Sequence, residues 1–239
     1  MAARAMLLQA TWNYERQQGV GFAWALLPAL ERLVPDPEER ARRLAVHTAY
    51  FNTQPSFASL ALGAVAALEE RRADGEPIDD AAITRIKYVL GSSLAALGDR
   101  LFWFTLRPFA AALGVLLALI FGPMGAAAMW VCYNTVHLGV RALGVGWGYR
   151  GGPGALDARL RGRFERLTHA LATLGTALVG VLTAWLLAPG GTPQPIVAQA
   201  ALAAGLGLGF FTAQRARPSP TEWAMGIGAL CLIVTWFRA

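Results

Sequence analysis

Charged side chains are scarce in this 239-residue chain, where they make up 15% of the sequence. An average soluble domain carries about 25%. Hydrophobic residues make up 55%, and the mean hydropathy is +0.42. An ordinary soluble domain is therefore not expected, and the composition indicates an all-α protein that crosses a membrane several times.

Acidic residues are nearly missing from the second half of the chain. Residues 1–100 contain 12 Asp and Glu and have a net charge of −1, whereas residues 101–239 contain only 3 and have a net charge of +7. The positive charge thus lies in the apolar half, as it does in membrane helices joined by arginine-rich loops. This distribution does not indicate a protein that binds nucleic acid through a basic face.

Motifs for chemistry are also missing. The two cysteines, Cys132 and Cys231, lie in apolar runs and lack the spacing of a metal site or a redox pair. No Ser-His-Asp order occurs, and no glycine-rich run has the strand–turn–helix context of a phosphate loop. The first 18 residues hold charges and no apolar core, so a cleavable signal peptide is not indicated. We expect no catalytic residue, metal or cofactor, and a cytoplasmic N-terminus.

What the chain does contain is a polar turn that leads into a short apolar segment, within residues 47–70. The order along the chain is Asn52, Thr53, Gln54, Pro55, the uncharged residues 56–68, and then Glu69 and Glu70. A spanning helix needs about 20 residues, so this segment is too short to cross a bilayer. Pro55 cannot continue a helix hydrogen-bond ladder. We interpret the stretch as a broken, re-entrant helix, of the kind that forms substrate sites in transporters.

A second stretch of this kind follows a polar loop. Asp79 is a suitable N-cap for a helix that starts at residue 80. Gly91-Ser92-Ser93 predicts a break in that helix, and a short apolar piece then ends at residues 98–100. We therefore expect a second re-entrant element, facing the first.

Three amphipathic stretches precede these elements. They cover residues 5–18, residues 20–34, and a third helix that follows the Pro-Asp-Pro turn at 35–37 and runs to about residue 51. None is apolar enough to span a bilayer, so they suit the membrane interface or a groove in a partner.

Longer apolar runs fill the rest of the chain. Residues 108–140 contain no charge, and Gly122-Pro123 predicts a break there. Residues 144–154 are predicted to form a glycine-rich loop. Together with further candidate spans at 168–188, 196–213 and 223–237, the pattern predicts about four to five spanning helices. Arginines in the loops at 150–166 and 215–217, and none at 189–195, place the C-terminus outside the cell.

Four motifs then suggest a family: TWNYERQQGVGF, FNTQP, ALEERRADGEPIDDAAITRIK and LGDRLFWFTLRP. In this order they resemble the IID membrane subunit of the mannose/fructose/sorbose class of bacterial phosphoenolpyruvate-dependent sugar phosphotransferase systems. The resemblance is strong over about residues 5–150. One departure is the run GSSLAALGD at 91–99, where Ser93 and Ala96 replace a proline and a glycine that are usual in the family.

The resemblance implies a function and partners. A IID subunit pairs with a IIC membrane subunit to form the translocation path for a hexose such as mannose, glucose or fructose. The soluble IIA and IIB subunits carry the phosphate, so the chain by itself is not expected to be an enzyme. The resemblance also implies that the chain contacts membrane lipid and belongs to an oligomer of IIC–IID pairs in the bacterial inner membrane. The altered run at 91–99 leaves an alternative, a non-transporting scaffold or regulatory subunit.

Within this scheme, residues 1–107 are expected to hold the substrate site and residues 108–239 the transmembrane helices. Planar amides pair well with sugar hydroxyls, so Asn52, Thr53 and Gln54 are the first candidates for substrate binding. Capping of a helix end explains these three residues equally well.

Charged residues give a second set of candidates. Glu69 and Glu70 could accept hydroxyl protons, although an ion pair with an arginine is the alternative, favoured more for Glu70 than for Glu69. Asp99 is a bolder candidate for a sugar ligand, and an ion pair with Arg107 is the favoured interpretation.

Polar residues near the N-terminus are assigned a structural role. Asn13, Glu15 and Arg16 are expected to organise the first helix against a partner, and a solvated helix face is the alternative.

Overall fold

The computed structural model describes residues 1–186, and within this range the chain is helical and forms no strand, which confirms the all-α class. The α-helices in these residues are α1 (Ala2–Ala5), α2 (Gly19–Leu33), α3 (Pro37–His47), α4 (Ala58–Ala73), α5 (Asp80–Leu101), α6 (Arg107–Phe121), α7 (Met124–Gly151) and α8 (Ala158–Leu186). A π-helical turn, Phe102–Leu106, joins α5 to α6, and a 3₁₀ turn, Gly152–Gly154, follows α7.

Helix α4 is the centre of the core. Its first twelve residues, from Ala58 to Glu69, are all buried, because α2, α5 and α7 surround it. A helix that is apolar on every side must be enclosed in this way. The short segment that was predicted not to cross a bilayer therefore lies inside protein, preceded by ten residues of irregular backbone, 48–57.

Helices α4 and α7 pack side by side and run in the same direction. Ser56 lies beside His137 near the start of the contact, and Glu70 lies beside Tyr149 near its end. The backbones approach closely because Gly63, Gly144 and Gly148 face the partner helix without a side chain. The glycine-rich loop predicted at 144–154 is therefore wrong over 144–151, where Gly144 and Gly148 belong to the last two turns of α7.

The predicted break at Gly122-Pro123 is confirmed. Helix α6 ends at Phe121, Gly122 adopts a φ of +61°, and α7 begins at Met124. A positive φ suits glycine, which has no Cβ to collide with the backbone. The two helices then fold back on each other, with Gly125 against the Gly114 carbonyl. The uncharged residues 108–140 thus form a helical hairpin.

The helix predicted over 5–18 is wrong. Helix α1 covers only residues 2–5, and turns follow as far as α2. Asn13 forms one of them, since its Oδ1 accepts hydrogen bonds from the backbone N–H groups of Glu15 (3.1 Å) and Arg16 (2.8 Å). An asparagine that bonds to the backbone in this way competes with helix formation.

The next two amphipathic helices are confirmed. They are α2 and α3, and the Asp36 carboxylate caps α3 by accepting from the Glu38 and Glu39 N–H groups at 3.4 and 3.0 Å. Helix α3 ends at His47, four residues earlier than expected.

The break predicted at 91–99 is also wrong. Asp79 caps α5 as expected, but α5 continues without interruption to Leu101. Its glycines serve a different purpose. A Cβ at Gly91 would lie 3.1 Å from the Asn52 carbonyl oxygen, and one at Gly98 would lie 2.5 Å from the Gln54 Cβ. The glycines therefore let residues 51–57 pack closely on α5. The polar turn at 52–55 and the run at 91–99 thus face each other, as expected.

The part of the chain that the structure describes contains one helix long and apolar enough to cross a membrane, Asp80–Phe121, which combines α5, the π turn and α6. The candidate span at 168–188 overlaps α8. Those at 196–213 and 223–237, and the loops at 189–195 and 215–217, lie outside the described residues. Residues 1–182 form one compact unit, and the functional division at residue 107 stays a prediction.

The glycine contacts between α4 and α7 give a test. A Cβ at Gly148 would collide with the Leu60 carbonyl oxygen, whereas Gly146, two residues earlier on α7, has only the Arg150 guanidinium at 4.0 Å. We expect Gly148→Ala to destabilise the detergent-solubilised protein by about 1–3 kcal/mol through overpacking. Gly146→Ala should be neutral, or stabilising by about 0.5–1 kcal/mol. Thermal unfolding of both variants measures this, and equal midpoints would contradict the close packing of the two helices.

Candidate functional site

The irregular residues 48–57 are held in place by a buried glutamine. The side-chain Nε2 of Gln18 donates to the Thr53 carbonyl oxygen at 2.8 Å, and its Oε1 accepts from the Thr53 N–H at 3.1 Å. The backbone adds a Gln18 N–H bond to the Phe51 carbonyl, 2.8 Å, and a Phe51 N–H bond to the Arg16 carbonyl, 3.3 Å. Buried backbone must find partners of this kind. Sequence reasoning missed Gln18, since its partner lies 35 residues away and no local motif marks the pair.

The three polar residues of the predicted sugar site differ in exposure. Gln54 is buried, and its Oε1 accepts from the Ser56 N–H (2.7 Å) and the Phe57 N–H (3.3 Å) just before α4, so the capping alternative describes it. Thr53 is buried too, and its Oγ1 has no hydrogen-bond partner among residues 1–186. Only Asn52 presents its side chain at the surface.

Two serines at the start of α4 connect this segment to α7. Ser56 Oγ lies 2.6 Å from His137 Nδ1, and Ser59 Oγ donates to the Val140 carbonyl oxygen at 3.2 Å. His137 stacks on Tyr133, with 5.6 Å between ring centroids. His137 is thus a packing residue of the pair formed by α4 and α7.

Glu69 belongs to a buried ion cluster at the other end of α4. Its carboxylate accepts from His47 Nε2 at 3.0 Å and from Arg43 at 3.1 Å, and Arg72 lies 3.8 Å away. The ion-pair interpretation therefore applies to Glu69, although it was favoured for Glu70, which instead accepts from the Tyr149 hydroxyl. Glu69 forms the ion pairs because it is buried, and an enclosed carboxylate needs charged partners.

The protonation of this cluster follows from its burial. Desolvation lowers the pKa of His47 below its ordinary value, and the bond to Glu69 acts against that shift. Because a carboxylate can only accept, the His47 Nε2 carries the hydrogen.

Lys87 is the only lysine of the chain, and it is 2% exposed. Its Nζ donates to the His47 carbonyl oxygen at 2.9 Å and lies 4.9 Å from the Phe22 ring centroid. A cation at this place satisfies a free carbonyl at the C-terminal end of α3. Lys87 thereby connects α5 to the cluster, a role that nothing in the local sequence indicates.

The ion pair expected between Asp99 and Arg107 does not form. Asp99 is half-buried, and no salt bridge to it occurs within residues 1–186. Arg107 is exposed and stacks on Trp103, with its Cζ 5.1 Å from the ring centroid. Eight positions apart on continuous helix, the two charged residues are separated by about 12 Å of helical rise.

The N-terminal polar residues organise a turn and not a helix. Arg16 donates from its guanidinium to the Thr48 hydroxyl at 3.3 Å, which ties the turn formed by Asn13 to the start of residues 48–57. Glu15 is exposed, 3.9 Å from Arg16. Contact of these residues with a partner stays a prediction.

Comparison of the sequence with a family model identifies the family. The family model described as "PTS system mannose/fructose/sorbose family IID component" matches residues 1–188. The chain belongs to this IID family. The resemblance read from the four sequence motifs is thereby confirmed.

Curated relatives agree with this assignment. The IID chain is 41% identical over 181 residues to the mannose-specific EIID component of Escherichia coli K12, which covers 75% of this chain and 64% of the relative. It is 38% identical over 186 residues to the sorbose-specific EIID component of Klebsiella pneumoniae, covering 77% and 68%. The fructose permease IID component of Bacillus subtilis is 33% identical over 182 residues, covering 76% and 66%. The matched region thus spans about two-thirds of the length of these relatives.

Solved structures show the same architecture. A chain in the cryo-EM structure of the mannose transporter ManYZ with microcin E492 superimposes with a TM-score of 0.61 and 30% identity, covering 99% of this chain and 93% of that one. A second structure, described as a membrane protein, gives a TM-score of 0.70 at 30% identity, with coverages of 97% and 93%.

The IID chain therefore offers two polar regions with different chemistry. The ion cluster around Glu69 joins side chains of α3, α4 and α5, so it is suited to hold these helices together. The segment at 52–54 offers an exposed amide and a buried hydroxyl, which suit an uncharged ligand rich in hydroxyl groups. Residues 1–186 contain no grouping of three or more His, Cys, Asp or Glu that could hold a metal ion.

Replacement of Glu69 tests whether this residue stabilises the ion cluster or binds the sugar. We expect Glu69→Gln to destabilise the fold by about 1.5–3 kcal/mol, because it removes the buried carboxylate that accepts hydrogen bonds from His47 and Arg43. Glu76→Gln is the matched control, since Glu76 pairs with Arg71 at the surface, and exposed pairs contribute little. Thermal unfolding measures both. A stable Glu69→Gln protein that fails only in sugar uptake would return Glu69 to the substrate site.

Proposed function

We propose that this IID chain forms, together with a IIC subunit, the path by which a hexose crosses the bacterial inner membrane. The sugar would be delivered to a phosphorylated IIB subunit, which is charged by IIA. The names of the relatives, which are specific for mannose, sorbose and fructose, support a hexose substrate. The IID subunit itself would position the sugar and leave phosphoryl transfer to the soluble subunits.

One observation carries this proposal: the polar backbone at 52–57 is enclosed by protein and still presents one unpaired amide, Asn52. Non-helical backbone at membrane depth survives only where protein or a water-filled cavity surrounds it. Gly91 and Gly98 bring α5 against this segment, and Ser56 and Ser59 bond it to α7. A free amide on backbone that is held in this way is suited to bind a sugar hydroxyl.

The neighbouring groups divide into candidates and supports. Thr53 adds a buried hydroxyl with no partner in the described residues, and Asp99 adds a half-buried carboxylate on α5. Both stay candidates for sugar contact. Gln54 and Glu69 hold the backbone and the ion cluster, so we give them supporting roles.

The orientation of the chain follows the arginine-rich loops. Arg159, Arg161 and Arg163 at the start of α8 are exposed, which suits the cytoplasmic side of a membrane. The N-terminus would then also be cytoplasmic and the C-terminus outside, in an oligomer built from IIC–IID pairs.

A second function is favoured by the continuity of α5. Because α5 does not break at 91–99, this run lacks the hinge that the proline and glycine usual in the family would provide. A scaffold or regulatory subunit, which binds IIC without moving sugar, would need no such hinge. Membrane vesicles that contain IIC, this chain and phosphorylated IIB distinguish the two functions, since sugar binding without uptake identifies the scaffold.

Asn52→Ala tests the transport site in these vesicles. We expect uptake to fall by about tenfold or more, because a lost hydrogen bond to a bound polar group costs roughly 1.4 kcal/mol. Thermal stability and co-purification with IIC should stay unchanged, since the Asn52 side chain is exposed.

Gln54→Ala is the contrasting variant. It removes the acceptor for two backbone N–H groups before α4, so its thermal midpoint should fall.

Uptake at the wild-type rate by an assembled Asn52→Ala complex would remove Asn52 from the sugar site.

A further inference from the structure

A groove lies between the π turn and α6 on one side and α7 on the other. Its volume is about 450 Å³. The residues that line it include Trp103, Arg107, Ala110, Met129, Trp130 and Tyr133. The floor is thus apolar, and aromatic rings, one cation and the Asn134 amide form the rest of the wall. None of these residues belongs to the ion cluster or to the segment at 52–54.

The π-helical turn shapes one wall of the groove. Thr105 Oγ1 donates to the Arg100 carbonyl oxygen five residues earlier, at 2.8 Å. Phe102 and Leu106 point into the core, whereas Trp103 stays exposed. A π turn costs helix hydrogen-bond geometry and is frequent at functional sites. Here it presents Trp103 and Arg107 together at the surface.

Arg107 has no anionic partner within residues 1–186. No salt bridge to it forms there, and it is the only charged residue of the sequence between Arg100 and Arg141. Stacking on Trp103 orients the guanidinium. Its five N–H donors remain suited to phosphate oxygens.

The surroundings of the groove are those of a surface that faces lipid. Exposed apolar side chains cover the adjoining hairpin, among them Val115, Leu119, Ile120, Phe121 and Val131. Of the 18 most apolar consecutive residues in the helix Asp80–Phe121, only 28% are buried inside the protein. Tryptophan and arginine beside such a surface are typical of the headgroup level of a bilayer.

We propose that this groove binds an anionic phospholipid. The phosphate would pair with Arg107, and an acyl chain would lie along Ala110 and Met129 between α6 and α7. A cation that lacks an anion favours an anionic headgroup over a neutral sugar, and the apolar floor favours an acyl chain over free phosphate. The proposal is independent of the sugar path and requires only that the hairpin lies in a membrane.

The test uses the full chain, with any subunit that co-purifies, in nanodiscs of phosphatidylcholine with phosphatidylglycerol. After extraction into detergent, native mass spectrometry counts the retained lipids. We expect the wild type to retain phosphatidylglycerol in preference to phosphatidylcholine. Arg107→Gln should lower that retention by about fivefold or more, as for the loss of one arginine near an anionic surface. Arg107→Lys should keep most of it.

Arg161→Gln is the matched control, because Arg161 is exposed and unpaired in the described residues but lies outside the groove. It should retain phosphatidylglycerol as the wild type does. Equal retention by Arg107→Gln, or no preference between the two lipids in the wild type, would overturn the proposal. Loss of IIC from Arg107→Gln with lipid retention unchanged would assign the groove to the partner and overturn it as well.

A second measurement does not depend on the glutamine variant folding. Brominated phosphatidylglycerol should quench the tryptophan fluorescence of the wild type more than brominated phosphatidylcholine does. Trp103→Phe should reduce the difference, because Trp103 lines the groove beside Arg107. Equal quenching by the two lipids would contradict the proposal.

Discussion

The structure depends on one constraint, that a helix too short to cross a bilayer is buried on all sides. Because α4 is enclosed, the irregular backbone before it has to be satisfied by protein groups. Gln18 bonds to Thr53, Gln54 caps the turn before α4, and the two serines bond to α7. Most polar atoms there are thereby occupied, which is why the free amide of Asn52 stands out.

Small residues make this enclosure possible. Gly63 and Gly148 allow α4 and α7 to approach until backbone meets backbone. Gly91 and Gly98 give residues 51–57 room to pack on α5, Gly91 beside the Asn52 carbonyl and Gly98 beside the Gln54 side chain. Glycine lowers helix propensity by about 1 kcal/mol per residue, so these positions are costly unless packing offsets the loss. Glycines that predict a loop from the sequence therefore indicate close helix packing in this membrane protein.

Features set by local chemistry could be predicted from the sequence, and features set by distant contacts could not. The cap at Asp79 and the break at Gly122-Pro123 depend on neighbouring residues, and both were expected. The uninterrupted α5 was not, because a glycine permits a break without requiring one. At the candidate site, the polar turn that ends at Pro55 made Asn52 a candidate, and its role in sugar binding stays a prediction. The partners Gln18 and Lys87 act over 35 and 40 residues, and sequence spacing carries no information at that range.

The burial of Lys87 has a practical consequence. Since the sequence contains no other lysine and this one is enclosed against Phe22 and the His47 carbonyl, the folded sequence exposes no lysine side chain to amine-directed reagents. Acylation of a side-chain amine would thus report opening of the interior, and crosslinkers that join lysines would be silent for this subunit even within an assembled complex.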